Sequence, residues 1–200
     1  IIIERRRNQI MEQSNHIPFG QLGIIALKSS SELGKKIDYC LKKRRKENSL
    51  GEDESFLVPA DEVRFSNGEG KVVLEDSVRG KDIYILCDIG NYSCTYDMYG
   101  YKIRKGPDEH FQDIKRVLSA IEGKARRLTV IMPLLYEGRQ HKRKRRESLD
   151  CAIALQELER LGVQNILSFD VHDPNVQNAI PLISFENLYP TYEIIETIIK

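Results

Sequence analysis

Apolar residues along this chain gather in short runs that alternate with stretches of helical periodicity, the pattern of strands separated by helices. Leu22-Gly23-Ile24-Ile25-Ala26-Leu27 reads as the first buried strand. It feeds a Ser29-Ser30-Ser31-Glu32 turn, where Ser29 and Glu32 have capping-box spacing. Leu33, Ile37, Cys40 and Leu41 then recur at helical spacing, with lysines on the opposite face. Lys46 to Glu54 is charged, contains Gly51 and predicts a mobile connection. After Phe56-Leu57-Val58-Pro59, two apolar stretches flank Asn67-Gly68, both of which tolerate positive φ, so a hairpin turn is expected there.

Ile83-Tyr84-Ile85-Leu86-Cys87 is the next buried strand, and residues 88–106, without periodicity, predict a long surface loop or small subdomain. Pro107 opens a helix whose apolar stripe is Phe111, Ile114, Val117, Leu118 and Ile121. Leu128 to Pro133 is a strand, followed by a basic loop and a helix from about Leu149 to Leu161, capped by Ser148 and ended by Gly162. Ile166 to Phe169 and Ile180 to Ile183 predict two further strands, and Ile194, Ile195, Ile198 and Ile199 a last helix. The alternation implies an α/β fold: right-handed crossovers and a mostly parallel sheet in three layers. Residues 1–20 form a polar N-terminal arm, and residues 21–200 one domain.

Composition narrows the function classes. A net charge of +1 over 200 residues gives no global field for nucleic acid, so any electropositive site must be local. Lys42 to Lys46 and Lys142 to Arg146 are the two basic blocks. The four cysteines show no C-x-x-C pair and no zinc spacing, so reduced, mostly buried thiols of a cytoplasmic protein are expected. No apolar run approaches the roughly 18 residues of a membrane span, and the Ile-rich start is no signal peptide. The chain does not begin with Met and is expected to be a piece of a longer protein.

Candidate chemistry sits at two strand ends. The loop after Leu128–Pro133 carries Arg139 and five more Lys/Arg residues up to Arg146, and the strand Ile166–Phe169 delivers Asp170, His172 and Asp173. Ligands of open α/β sheets bind outside the carboxyl ends of strands. A cationic loop and an Asp/His cluster meeting there suit a metal-bound polyphosphate, although a basic run alone is usually just solvated and a lone histidine usually structural. There is no P-loop, no G-x-G-x-x-G and no G-x-S-x-G.

Six segments in order then carry a resemblance: Arg64-Phe65-Ser66-Asn67-Gly68-Glu69, Ser77 to Asp82, Ala125 to Thr129, Arg139-Gln140, Asp170-Val171-His172 and Glu186 to Tyr189. Together they resemble ribose-phosphate pyrophosphokinase (PRPP synthetase) over most of residues 22–190, and this chain looks like its N-terminal domain. The resemblance implies a phosphoribosyltransferase-like fold and Mg²⁺-dependent transfer of the ATP diphosphoryl group to ribose 5-phosphate, giving PRPP and AMP. It implies ATP-binding roles for Phe65, Asn67, Gly68, Glu69, Arg139 and Gln140. The turn Phe65–Glu69 would hold adenine across a subunit interface in a homo-oligomer, and His172, with Asp170, would ligate the metal. No catalytic residue is expected within these 200 residues, because the family's catalytic Lys/Arg loop and ribose-phosphate loop have no counterpart here. No nucleic-acid or membrane partner is expected.

The chain also departs from the family. Asn67 stands for an aspartate, His141 for the aspartate of Arg-Gln-Asp, Asn178-Ala179-Ile180 for Gly-Phe-Phe, and 88–106 is an insertion. Asn67 and His141 favour a first alternative, a non-catalytic paralogue that assembles with true synthetases and regulates them. A second alternative, a nucleic-acid binder using residues 142–146 and 42–46, predicts strongly salt-dependent binding.

Overall fold

The computed structural model describes residues 19–48 and 54–199; the N-terminal arm up to residue 18 and residues 49–53 of the charged connection lie outside the described residues. Five parallel strands, β1 (Leu22–Ala26), β4 (Asp82–Leu86), β7 (Arg127–Met132), β8 (Asn165–Phe169) and β9 (Ser184–Leu188), lie in that order in the central sheet. Phe56 to Val58 lies along the free side of β1, through Ile24 N–H to Phe56 O at 2.7 Å and Val58 N–H to Ile24 O at 2.8 Å. The chain therefore turns back at β1 before it proceeds across the sheet. Helix α1 (Ser31–Glu47) lies on one face of the sheet, and α2 (Pro107–Ile121) and α3 (Asp150–Arg160) on the other.

Register aligns Ile25, Ile85, Val130, Ile166 and Phe185 in one row, and that face carries the core with Phe111, Ile114, Val117, Ile121, Leu155 and Leu158. Each fully buried aliphatic chain of this kind contributes about 1.5–3 kcal/mol. The stripe expected on α2 is buried as read, and Glu109 Oε2 accepts the Gly106 N–H at 2.8 Å to cap the helix. On the other face Tyr84, Ile131 and Leu167 stay half-buried, so the described helices cover that side less fully.

Helix α1 buries Gly34 and Asp38 rather than Leu33 and Cys40, which are exposed. A Cβ on Gly34 would lie 2.4 Å from Ala26 Cβ, so the helix backbone itself sits on β1. Asp38 accepts the Phe56 N–H at 2.7 Å, which ties α1 to the edge of the sheet. Cys87 and Cys151 are buried; Cys94 is half-buried.

Three local expectations change. Ser29 does not cap α1; the Ser29 and Ser30 hydroxyls instead accept the Asp88 N–H at 3.1 and 2.6 Å, below the end of β4. Ser148 does not cap α3; its hydroxyl donates to Asp150 Oδ2. The strand expected over 180–183 is instead a turn that follows a 3₁₀ segment, Pro174–Ala179, and the edge strand starts at Ser184. Pro181 has no N–H for a ladder, whereas 184–188 alternates exposed and half-buried as an edge strand should.

Residues 88–106 are a built insertion: β5 (Thr95–Met98) and β6 (Tyr101–Arg104) pair antiparallel around Tyr99-Gly100, both at positive φ (49° and 83°). The Asn67-Gly68 hairpin forms as read, from β2 (Ala60–Arg64) and β3 (Gly70–Leu74). The last helix, α4 (Thr191–Ile199), is exposed along its length among the described residues. No helix among the described residues is long and apolar enough to cross a membrane.

Candidate active site

The loop after β7 is shaped by its own backbone. Glu137 adopts φ 53°, Gly138 N–H reaches Leu135 O at 3.2 Å, and Gln140 N–H reaches Glu137 O at 2.8 Å. The Gln140 side chain donates to Ser148 O at 3.2 Å, and the Gln140 backbone carbonyl accepts Cys151 N–H at 3.3 Å. Gln140 thus anchors the loop to α3, while Arg139, exposed and without an ion pair among the described residues, is left to face outward. Beside it, β8 ends in Asp170 at φ 45°, whose N–H is held by Leu188 O at 2.9 Å. A left-handed aspartate at a strand end is a strained position of the kind that collects at functional sites.

Between these two loops lies a groove of about 520 Å³ lined by Leu134, Tyr136 to Arg139 and Phe169 to His172. Arg139, Asp170 and His172 therefore meet at one edge, where the strand-end argument put them. The groove also has an acidic rim. Glu137 has its pKa raised, by burial first and then by Asp150 and Asp108. Tyr136 has its hydroxyl pushed up as well, by burial and by its 2.8 Å hydrogen bond to Asp108. Asp173 sits below the ordinary carboxylate range because Asn175 N–H donates to it.

His141 is half-buried in the same region. Its Nε2 lies 3.1 Å from Asp173 Oδ2, and its ring meets His172 edge-on at 5.2 Å. Among the described residues no group of three or more His, Cys, Asp or Glu is arranged to hold a metal ion. Asp170 and His172 offer two donors; Mg²⁺ commonly keeps several waters and takes phosphate oxygens besides, so this donor set fits that ion.

Phe65, Asn67, Gly68 and Glu69 do not line this groove; they form the β2–β3 turn elsewhere on the surface. Phe65 N–H bonds Glu69 O at 2.8 Å, and Gly68 takes φ 89°. Asn67 accepts Glu69 N–H at 3.1 Å and donates to Glu69 Oε2 at 2.9 Å, a bond an aspartate could not donate. Phe65 is exposed.

Sequence reasoning missed what supports this turn. Lys105, from the insertion, is buried and its Nζ bridges Glu62 and Asp113 at 2.7 Å each. Asp113 receives both Arg64 Nη2 contacts at 2.9 Å, and Arg64 Nη1 donates to Gly68 O at 3.3 Å. Tyr99 N–H donates to Ser66 O at 2.9 Å, so the inserted hairpin is docked on the turn. The readable signal was Asp113, a carboxylate on the apolar stripe of α2.

Comparison with known proteins gives the family and the fold. A family model described as the N-terminal domain of ribose phosphate pyrophosphokinase matches residues 22–162. The chain is 30% identical over 137 residues to ribose-phosphate pyrophosphokinase 1 of Schizosaccharomyces pombe, covering 68% of this chain and 30% of that protein. It is 26% identical over 140 residues to ribose-phosphate pyrophosphokinase of Ralstonia nicotianae, covering 68% of this chain and 40% of the relative. The crystal structure of phosphoribosylpyrophosphate synthetase from Mycobacterium smegmatis superposes with a TM-score of 0.67 at 20% identity, covering 89% of this chain and 51% of that one. The fold is thus phosphoribosyltransferase-like, and the chain spans less than half the length of the relatives it matches in sequence.

Proposed function

The chain belongs to the family of the N-terminal domain of ribose phosphate pyrophosphokinase, and from that premise we propose that it is the ATP-side domain of a Mg²⁺-dependent diphosphokinase. The reaction would be attack of the anomeric hydroxyl of ribose 5-phosphate on the β-phosphorus of ATP, giving PRPP and AMP. The observation that carries the reading is the groove lined at two strand ends by Asp170, His172 and an Arg139 that has no ion pair among the described residues. Phosphoryl chemistry of this type depends on positioning and charge neutralisation more than on covalent help.

Arg139 neutralises phosphate oxygens with a planar guanidinium suited to two-point contact. Asp170 and His172 hold the metal, which when bound neutralises phosphate charge. The Phe65–Glu69 turn serves an adenine ring through its exposed phenylalanine, in a homo-oligomer whose neighbouring subunit completes the pocket. The test compares Arg139→Ala with Lys43→Ala by titration calorimetry with Mg-ATP. Arg139→Ala should cost about 1.5–3 kcal/mol of binding, as lost charged hydrogen bonds do, and Lys43→Ala nearly nothing. Equal losses would mean diffuse electrostatics instead of a site.

A second reading has its own observation. His141 occupies a position where the family carries aspartate, and the inserted hairpin rests on the turn that would receive adenine. Both features suit a non-catalytic paralogue that assembles with active synthetases. Addition of this chain to an active synthetase would then change the latter's rate without adding turnover.

A further inference from the structure

Two loops leave neighbouring strands and face each other across the groove, and one side chain spans them. His141, on the basic loop, is only 8% exposed. Its Nδ1 lies 3.3 Å from the carbonyl of Gly138, at the base of its own loop. Its Nε2 lies 3.1 Å from Asp173 Oδ2, on the opposite loop. Asp173 is itself immobilised, because its Oδ1 accepts both the Asn175 N–H and the Asn175 amide at 2.9 Å. One carboxylate oxygen thus caps the 3₁₀ turn while the other seats His141. Against this seated ring the His172 ring packs edge-on, with centroids 5.2 Å apart and planes at 61°.

We infer that His141 is a positioning residue, a clasp that fixes the distance between the Arg139 side of the groove and the His172 ring. The inference rests on the groove being the Mg-ATP site. His172 is exposed and makes no hydrogen bond among the described residues, so its ring is oriented by what it packs against. Without the clasp the two loops are tied through their paired strands and the Phe169 N–H to Pro133 O bond at their roots, and a ligand that needs both would meet their outer parts at variable separation. Groups that orient a metal-binding side chain commonly change metal affinity by about tenfold or more when removed.

The experiment uses the 200-residue chain with excess ATP and MnCl₂ as the probe, read by histidine-ring NMR. With four histidines in the chain, the ring signals are few enough to assign. In the unaltered chain His172 signals should broaden at lower Mn²⁺ than those of His110. His141→Ala should raise the Mn²⁺ needed to half-broaden His172 by roughly tenfold, with the thermal midpoint recorded alongside. His141→Gln, whose amide can still donate to Asp173, should recover most of that loss. Where His141→Ala does not fold, His141→Phe replaces it, filling the space without the bond to Asp173.

An unchanged titration, or a His141→Gln variant no better than His141→Ala, overturns the clasp. If Arg139→Ala weakens ATP while His141→Ala leaves the Mn²⁺ titration alone, the site stands and the clasp falls. If His172 is not broadened first in the unaltered chain, the site reading fails and takes the clasp with it.

Discussion

Lys105 shows how much one side chain can hold. Its ammonium is buried between Glu62 and Asp113, which together outweigh the cost of burial and raise its pKa. Burial pushes Asp113 upward, but Lys105, Arg64 and Arg116 overcome this and hold it below the usual carboxylate range. The signs give opposite limbs. Asp113, depressed, contributes stability above the ordinary carboxylate pKa of about 3.9 and loses it as pH falls through its folded value. Lys105, raised, contributes below the ordinary lysine pKa of about 10.4 and loses it as pH rises through its folded value. Lys105→Met should therefore cost about 3 kcal/mol near neutrality, the lower end for a broken buried pair, because Arg64 and Arg116 still serve Asp113. Urea midpoints across pH should show a shallower acid limb in the variant, complete at a higher pH, because Asp113 is then less depressed. At the other side of the sheet, Gly34→Ala would drive a methyl into Ala26, and about 1–3 kcal/mol of destabilisation is expected by the same assay.

Elements differ in how far their own sequence decides them. Helix α2 carries its start signal and its stripe in its residues, and both are used. Helix α1 does not, because the face it buries is chosen by contact of Gly34 with β1 rather than by the placement of leucine. The β5–β6 hairpin lacks alternation long enough to announce itself, and its two-residue turn places a tyrosine at φ 49°. A left-handed conformation costs a residue with a Cβ about 1–2 kcal/mol, and asparagine escapes part of that. Tyr99→Asn should accordingly stabilise the hairpin, measured as slower amide exchange at Lys105, whose N–H bonds Cys94 O at 2.9 Å just beyond the strands. Faster exchange there would mean that the Tyr99 ring contributes more than its backbone strain costs.

For the molecule as a whole, these 200 residues are expected to make no PRPP by themselves, even when well folded. The resemblance implies that the ribose 5-phosphate loop and a catalytic Lys/Arg loop come from a second domain. Without them the hydroxyl is not held in line with the β-phosphorus, and positioning can be worth roughly 7–11 kcal/mol of barrier. A direct assay of AMP and PRPP with saturating Mg-ATP and ribose 5-phosphate checks this. Turnover at about a hundredth of a complete relative's rate, near 3 kcal/mol by the tenfold-per-1.36 relation, would mean the active site is misplaced. Sedimentation at high micromolar concentration tests the association expected through the Phe65–Glu69 turn; a strict monomer would count against it.

The order of strands and helices, the parallel core and the meeting of Arg139 with Asp170 and His172 were readable in the residues. Buried β-branched runs and a 3.6-residue stripe are local properties, and a strand's carboxyl end is fixed once its direction is known. Tertiary structure alone decided what spans distant segments. The insertion docks on the β2–β3 turn because Lys105 finds two carboxylates from elements 43 and 8 residues away. His141 reaches Asp173 because two loops happen to leave adjacent strands. The starting point of β9 was likewise settled in pairing, where the ladder with β8 takes 184–188 and passes over the more apolar 180–183, in which Pro181 lacks a donor. Hydrophobic periodicity records which face of an element is buried; it carries no record of which polar partner, far along the chain, will be waiting there.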